Sequence, residues 1–228
     1  MLLHDASVTA VLFDVDGTLI DSVDAHARAW TEALRTWGHD VAFETVRRQI
    51  GKGADQLLPV FLSRQEIEKV GDDLQAWRGR LFQRRYLPHL KAFPAVRPLL
   101  ERLIADGKRI GLASSAPQDE LAEYKKIAGI EDLIGSQTAA DDAERSKPHP
   151  DIFEAALAKL GHPDPASVVV VGDTPYDAEA AAKAQLRSIG VLCGGWPEQD
   201  LLRAGCSMVV RDPAALLARY ARIADNAR

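Results

Sequence analysis

An apolar stretch from Val8 to Phe13 stops at an acid, Asp14, and a second acid, Asp16, follows before Gly17-Thr18-Leu19. No other segment limits the possible folds so tightly. A stretch of this length and character reads as a strand buried on both faces, which is the habit of parallel sheets. Two carboxylates at its end repel one another, so a cation, a shared proton or both should lie between them. Aspartate is also a nucleophile able to form an aspartyl-phosphate. The alternative is a solvated loop with incidental acids. The preceding strand, and the Gly-Thr-Leu that leads into Asp21-Ser22, argue against it.

Further segments repeat the strand pattern. Arg109–Ala113 is short and apolar and ends at Ser114-Ser115, and Leu133–Ser136 is a weaker version. Val168–Gly172 holds four valines and ends at Asp173. Ser188–Leu192 follows, with Ser207–Val210 as a further edge strand. Between them, Pro98–Ala105, Asp119–Ala128, Asp151–Leu160 and the alanine-rich Asp177–Ala184 carry helical spacing. This alternation predicts an α/β fold, a doubly wound parallel sheet with helices on both faces.

Residues 21–92 break the alternation. They show only helical periodicity, over Ala25–Trp37, Phe43–Ile50, Asp55–Leu62 and Gln65–Tyr86. The expected organisation is therefore a core formed by residues 1–20 and 93–228, with a helical insertion at 21–92. That insertion holds 12 Lys and Arg against 10 Asp and Glu, which leaves about −7 on the rest of a chain of net charge −5. The asymmetry suits a lid over an anionic substrate. No basic tract invites nucleic acid, and no apolar run is long enough for a membrane span. Met1–Ala10 shows no signal-peptide pattern, so a cytoplasmic location is expected. The only cysteines, Cys193 and Cys206, lack metal-ligand spacing and read as reduced core or loop residues. The tail from Arg222 to Arg228 is expected to fray.

In an open parallel sheet, ligands bind beyond the carboxyl ends of the strands. Pooling those ends brings together Asp14, Asp16, Ser114, Ser115, Asp173 and Asp177, with Lys147 in the loop Arg145-Ser146-Lys147-Pro148-His149-Pro150. Carboxylates, hydroxyls and an amine at one edge suit phosphoryl transfer, which depends on positioning and charge neutralisation.

The ordered set Asp14-Val15-Asp16-Gly17-Thr18, Ser114, Lys147 and Gly172-Asp173-Thr174-Pro175-Tyr176-Asp177 resembles the four motifs of the haloacid dehalogenase superfamily. The insertion resembles the helical cap of its phosphoglycolate-phosphatase and β-phosphoglucomutase branch. The resemblance implies that Asp14 is the nucleophile and that Asp16 is the general acid and base. It implies that Ser114, with the backbone N–H groups of Ser115 and Ala116, holds phosphate oxygens, and that Lys147 neutralises charge. It also implies Mg²⁺ held by Asp14, the main-chain carbonyl of Asp16 and Asp173, with Thr18 and Asp177 in support. For Ser114, Lys147 and Asp177 a purely structural role stays open: a turn serine, a solvated loop lysine and a helix N-terminal acid.

In the insertion, the resemblance places His26 near Asp16, although a lone helical histidine is more often a surface or partner-satisfied residue. His149 reads as structural. Trp30, Trp37 and Phe61 read as core of the insertion, and Arg78, Arg84 and Arg85 as cations on a solvated helix face. The loop Ile50-Gly51-Lys52-Gly53-Ala54-Asp55 matches the loop that selects substrate in capped members, with Lys52 as its candidate contact. Sugar-phosphomutases carry an arginine where this chain has Ala54, which weakens that alternative. The acid at Asp16 favours phosphate esters over carbon–halogen bonds. The expectation is a Mg²⁺-dependent phosphatase acting on a small phosphorylated metabolite, as a monomer or homodimer. An intramolecular mutase is the alternative, and a phospho-accepting signalling domain a remote one.

Overall fold

The fold was analysed in a computed structural model that describes residues 2–225. Six parallel strands form one sheet: β1 (Ala10–Phe13), β2 (Arg109–Ala113), β3 (Ser136–Thr138), β4 (Val168–Gly172), β5 (Arg187–Val191) and β6 (Met208–Val210). Their order across the sheet is β3-β2-β1-β4-β5-β6. The winding reverses between β1 and β4, so the crevice at a topological switch point opens beside Asp14. β1 pairs with both β2 and β4, with Phe13 opposite Leu112 on one side and Val171 on the other.

Alternate residues of these strands feed two cores. Val11, Phe13, Ile110, Leu112, Val169 and Val171 pack on one face, and Ala10, Leu12, Ala113, Val168 and Val170 on the other. Each fully buried valine of β4 contributes on the order of 1.5–3 kcal/mol, which makes the sheet a rigid base for the loops at its carboxyl edge. The covering helices include α5 (Val96–Ala105), α6 (Gln118–Ala128), α7 (Asp151–Lys159), α8 (Pro175–Lys183), α9 (Glu198–Ala204) and α10 (Pro213–Asp225). Arg222 to Asp225 thus continue a helix. The remainder of the expected frayed tail lies outside the described residues.

Four helices lie between β1 and α5: α1 (Val23–Thr36), α2 (Phe43–Arg47), α3 (Ala54–Phe61) and α4 (Arg64–Arg85). They share a separate apolar cluster that includes Val23, Trp30, Leu34, Val46, Leu57, Leu58 and Leu74. Trp37 and Phe61 pack against that cluster, as expected of them. Ser63 starts α4 with a reciprocal cap, its side chain and Glu66 each accepting from the other's backbone N–H. The chain leaves and re-enters the sheet at one point, where Asp21 N–H donates to Lys91 O and Phe93 N–H to Leu19 O, both at 2.9 Å.

The third strand differs from its expected place. The expected Leu133–Ser136 meets it only at Ser136, and the strand itself is the polar Ser136-Gln137-Thr138. As an edge strand with one neighbour it does not need a continuous apolar run.

Candidate functional site

The carboxyl ends of β2, β1 and β4 lie side by side, and the side chains that follow them converge. Lys147 is fully buried among them. Its Nζ lies 2.6 Å from Asp14 Oδ1, 2.7 Å from Asp177 Oδ1 and 3.0 Å from Ala113 O. Burial alone would lower its pKa, but the carboxylates of Asp14 and Asp177 more than reverse that and keep it charged. The solvated-loop alternative for Lys147 is therefore ruled out by its burial. Asp14 Oδ2 makes no hydrogen bond among the described residues. Burial pushes the Asp14 carboxyl up to about 7, with Lys147 opposing and the Asp177 and Asp16 carboxylates adding to the rise.

Asp177 caps α8 and also faces Lys147. Its Oδ2 accepts from the Thr174 N–H at 3.0 Å and hydroxyl at 2.6 Å, closing the cap of α8. Its Oδ1 faces Lys147. Asp173 is fully buried; Thr18 donates to its Oδ1 at 3.0 Å, while its Oδ2 has no partner. Burial first, then the Asp14 and Asp177 carboxylates, drive the Asp173 carboxyl well above its ordinary value.

Oxygens of Asp14, Asp173 and Asp177 all lie within 4.8 Å of one another. An all-carboxylate set with an orphaned buried oxygen fits a hard cation such as Mg²⁺. Gly17 and Gly194 shape the cradle, since a Cβ on either would fall 2.4 Å or 1.7 Å from Asp173 Oδ2. Gly194 escaped the sequence reading. Its signal was a glycine pair, Gly194-Gly195, just past β5 on the same sheet edge.

Asp16 turns away from this cluster. Its Oδ1 accepts from the Ser22 hydroxyl at 2.6 Å and lies 2.8 Å from His26 Nε2. Arg78 Nη2 contacts His26 Nδ1. A guanidinium only donates, so Nδ1 bears the lone pair and Nε2 the proton. That N–H is shared between Asp16 and the Tyr124 hydroxyl, which in turn donates to Glu120 Oε1 at 2.9 Å. Burial raises the Asp16 carboxyl, but the His26 imidazole and the hydrogen bonds from His26 and Ser22 outweigh it and hold the group below its ordinary range. His26 is buried, stacked on Phe82 at 4.1 Å, and so is not a surface histidine.

A cavity of about 630 Å³ opens over Asp14 and Asp16, between the strand ends and α1, α3 and α4. Ser115 and Ala116 line it, and the buried Ser115 hydroxyl has no partner. Ser114 lies behind them; its Oγ accepts from the Ala116 N–H at 3.0 Å. The loop 50–55 forms part of the wall. Lys52 is there, but its Nζ donates to Gln49 Oε1 at 2.7 Å and sits 4.7 Å from the centre of the Tyr176 ring. The loop is tied to the sheet edge by Gly53 N–H donating to Ser146 Oγ at 2.8 Å and Ser146 N–H donating to Asp55 Oδ2 at 3.0 Å.

Arg84 and Arg85 are exposed, as expected. Arg78 is not on a solvated face: it is half-buried and lines the cavity. The phase of α4 about its axis turns it inward with Leu74 and Phe82, at i−4 and i+4. Cys193 and Cys206 are free thiols, half-buried and buried.

Residues 11–191 match the profile of the haloacid dehalogenase-like hydrolases. The chain belongs to that family. The phosphoglycolate phosphatase of Yersinia pestis is 32% identical over 220 residues, covering 94% of this chain and 91% of the relative. The phosphorylated carbohydrates phosphatase of Thermotoga maritima is 29% identical over 206 residues, covering 89% and 94%. A hydrolase structure from Pseudomonas syringae, 30% identical, superposes with a TM-score of 0.84 over 94% of this chain and 99% of its own. These relatives place the chain in the branch that holds the phosphoglycolate phosphatases and β-phosphoglucomutases, and in the class of phosphoric monoester hydrolases. Among the described residues no helix is long and apolar enough to cross a membrane.

Proposed function

We propose that this haloacid dehalogenase-like hydrolase removes the phosphoryl group from a small phosphorylated metabolite through an aspartyl-phosphate on Asp14, with Mg²⁺ as cofactor. The observation that carries the reading is the pair of acids held on separate supports. Asp14 is gripped by Lys147 beside Asp173, while Asp16 is set apart on a hydrogen-bonded support from Ser22 and His26.

Asp14 attacks phosphorus with a carboxylate oxygen as the bond to the leaving oxygen breaks. Lys147 holds Asp14 Oδ1 and offsets the charge of nucleophile and phosphate, and Asp177 fixes Lys147 in turn. Asp16 delivers a proton to the leaving oxygen. Without substrate its hydrogen bonds favour the carboxylate, and the approach of an anionic ester raises its proton affinity. As a carboxylate again, Asp16 takes a proton from the water that attacks the phosphorus, and this frees phosphate and restores Asp14. Ser114 was expected to hold phosphate oxygens with the backbone N–H groups of Ser115 and Ala116, but its buried Oγ is taken by the Ala116 N–H. The unpartnered Ser115 hydroxyl in the cavity wall supports a phosphate seat there, with the Ser115 N–H beside it and the Ala116 N–H joining once it leaves Ser114. Asp14 and Asp173, with the Asp16 carbonyl, would hold Mg²⁺, which when bound neutralises charge on the transferring phosphate.

The segment 21–92 acts as a cap on a core of residues 1–20 and 93–228, and closes the cavity over the reacting atoms. Both named relatives are phosphatases, which favours hydrolysis over internal transfer. The test is phosphate release from a panel of small phosphate esters with Mg²⁺; release from none of them would overturn the proposal.

A further inference from the structure

Glu120 and Tyr124 are buried close to the support of Asp16, and the phosphoryl-transfer steps give neither a task. They stand one turn apart on the same face of α6. The Tyr124 ring packs into the sheet core, where a phenylalanine would fill the same space. Only its hydroxyl is foreign to that core, and it lies 2.9 Å from both His26 Nε2 and Glu120 Oε1. An acid in the first turn of a helix is favoured by the helix dipole. That does not explain why Glu120 turns inward, its Oε1 3.7 Å from His26 Nε2. Among the described residues it has no lysine or arginine as an ion-pair partner. Buried groups of this kind are costly unless each finds a hydrogen bond.

The hydrogen-bond partners fix where the protons lie. His26 Nδ1 accepts from Arg78, so the imidazole proton is on Nε2. A carboxylate only accepts, so the Tyr124 proton goes to Glu120. The Tyr124 oxygen therefore turns lone pairs towards His26 Nε2, in competition with Asp16 Oδ1 at 2.8 Å. Glu120 thus makes Tyr124 a second acceptor for the N–H that supports Asp16. As a carboxylate, Asp16 accepts that N–H well. While it carries the proton for the leaving oxygen it accepts poorly, and a buried N–H without an acceptor is costly.

We propose that Tyr124, oriented by Glu120, is a positioning residue for the acid step: it accepts the His26 N–H while Asp16 gives its proton to the leaving oxygen, and yields it when Asp16 is a carboxylate again. The His26 proton stays on Nε2 throughout, and the proton transferred is that of Asp16. This rests on the phosphatase reading above. A merely structural role for Tyr124 would affect every ester alike.

The test compares kcat/KM for phenyl phosphate and p-nitrophenyl phosphate. The two are close in shape, but phenoxide needs a proton to leave and p-nitrophenoxide leaves largely without one. The ratio kcat/KM covers the steps up to departure of the phenol, so the later water step shared by all esters does not enter. In Tyr124→Phe, kcat/KM for phenyl phosphate should fall at least about tenfold more than for p-nitrophenyl phosphate, the scale of one buried hydrogen bond left unmade. Glu120→Leu should shift the ratio in the same direction, because the Tyr124 proton then turns to Asp16, which is within its reach, and favours the carboxylate. Either variant decides the matter if the other does not fold. Equal slowing of the two esters, or an unchanged ratio, would overturn the proposal. If the folded wild type cleaves neither ester, the phosphatase reading falls and this proposal with it. If it cleaves both and the variants keep the wild-type ratio, only the role of Tyr124 falls.

Discussion

Lys147 holds its ammonium 2.6 Å from Asp14 Oδ1 while exposing nothing to solvent. A lysine so deeply buried is tolerable only because acids surround it, and those acids are tolerable only because of it.

Lys147→Met should therefore damage both function and stability. Removal of one partner from a buried pair costs about 3–5 kcal/mol, because the buried carboxylates of Asp14 and Asp177 lose their counter-charge. Urea denaturation should show a loss of that order at neutral pH, and turnover should fall by at least about a thousandfold, the scale of a lost charge clamp on the transferring phosphate. A variant with wild-type stability would show that the acids are neutral without it.

Stability should depend on pH in an unusual direction when metal is removed. The Asp14 carboxyl is pushed up to about 7, by burial above all, from an ordinary 3.8, and Asp173 is raised too. Between those pH values the folded chain keeps protons that the unfolded chain has released. Folding stability then falls as pH rises through this window, and Asp173 acts in the same direction. Asp16, held below 3.8, contributes with the opposite sign, and loses its contribution only at lower pH. Melting temperatures in a chelator should decline from pH 5 to pH 8, and Mg²⁺ should restore them most at the alkaline end. A rise over that range in chelator would contradict the strain assigned to the acids.

Gly194→Ala should cripple the site although glycine carries no functional group. Its Cβ would fall 1.7 Å from Asp173 Oδ2, so the carboxylate or the loop must move. Mg²⁺ affinity, read by titration calorimetry, should weaken about ten- to a hundredfold, the usual penalty for disturbing the support of a metal ligand. Unchanged affinity would mean that Asp173 does not hold the ion.

Much of this was legible in the chain before its fold. β1 and β4 announce themselves because a strand buried on both faces must be apolar throughout, and each ends on an acid that no core would tolerate. β3 was displaced because an edge strand needs no such run; Ser136-Gln137-Thr138 looks like a loop. α9 and α10 are not among the expected helices: α9 is only seven residues long, and α10 runs into the expected tail. Asp14, Asp173 and Lys147 meet because the sheet fixes them. Arg78, Tyr124 and Glu120 meet His26 only through the relative rotation of α1, α4 and α6, which no local pattern encodes. Arg78 was accordingly read as a solvated cation.

The decisive measurement is phosphate release from an ester that the wild type cleaves with Mg²⁺, repeated with Asp14→Asn protein shown to be folded by its circular dichroism. Covalent catalysis by Asp14 predicts that the variant loses at least about four orders of magnitude, as expected when a nucleophile is removed. Hydrolysis by Asp14→Asn within tenfold of wild type would contradict it.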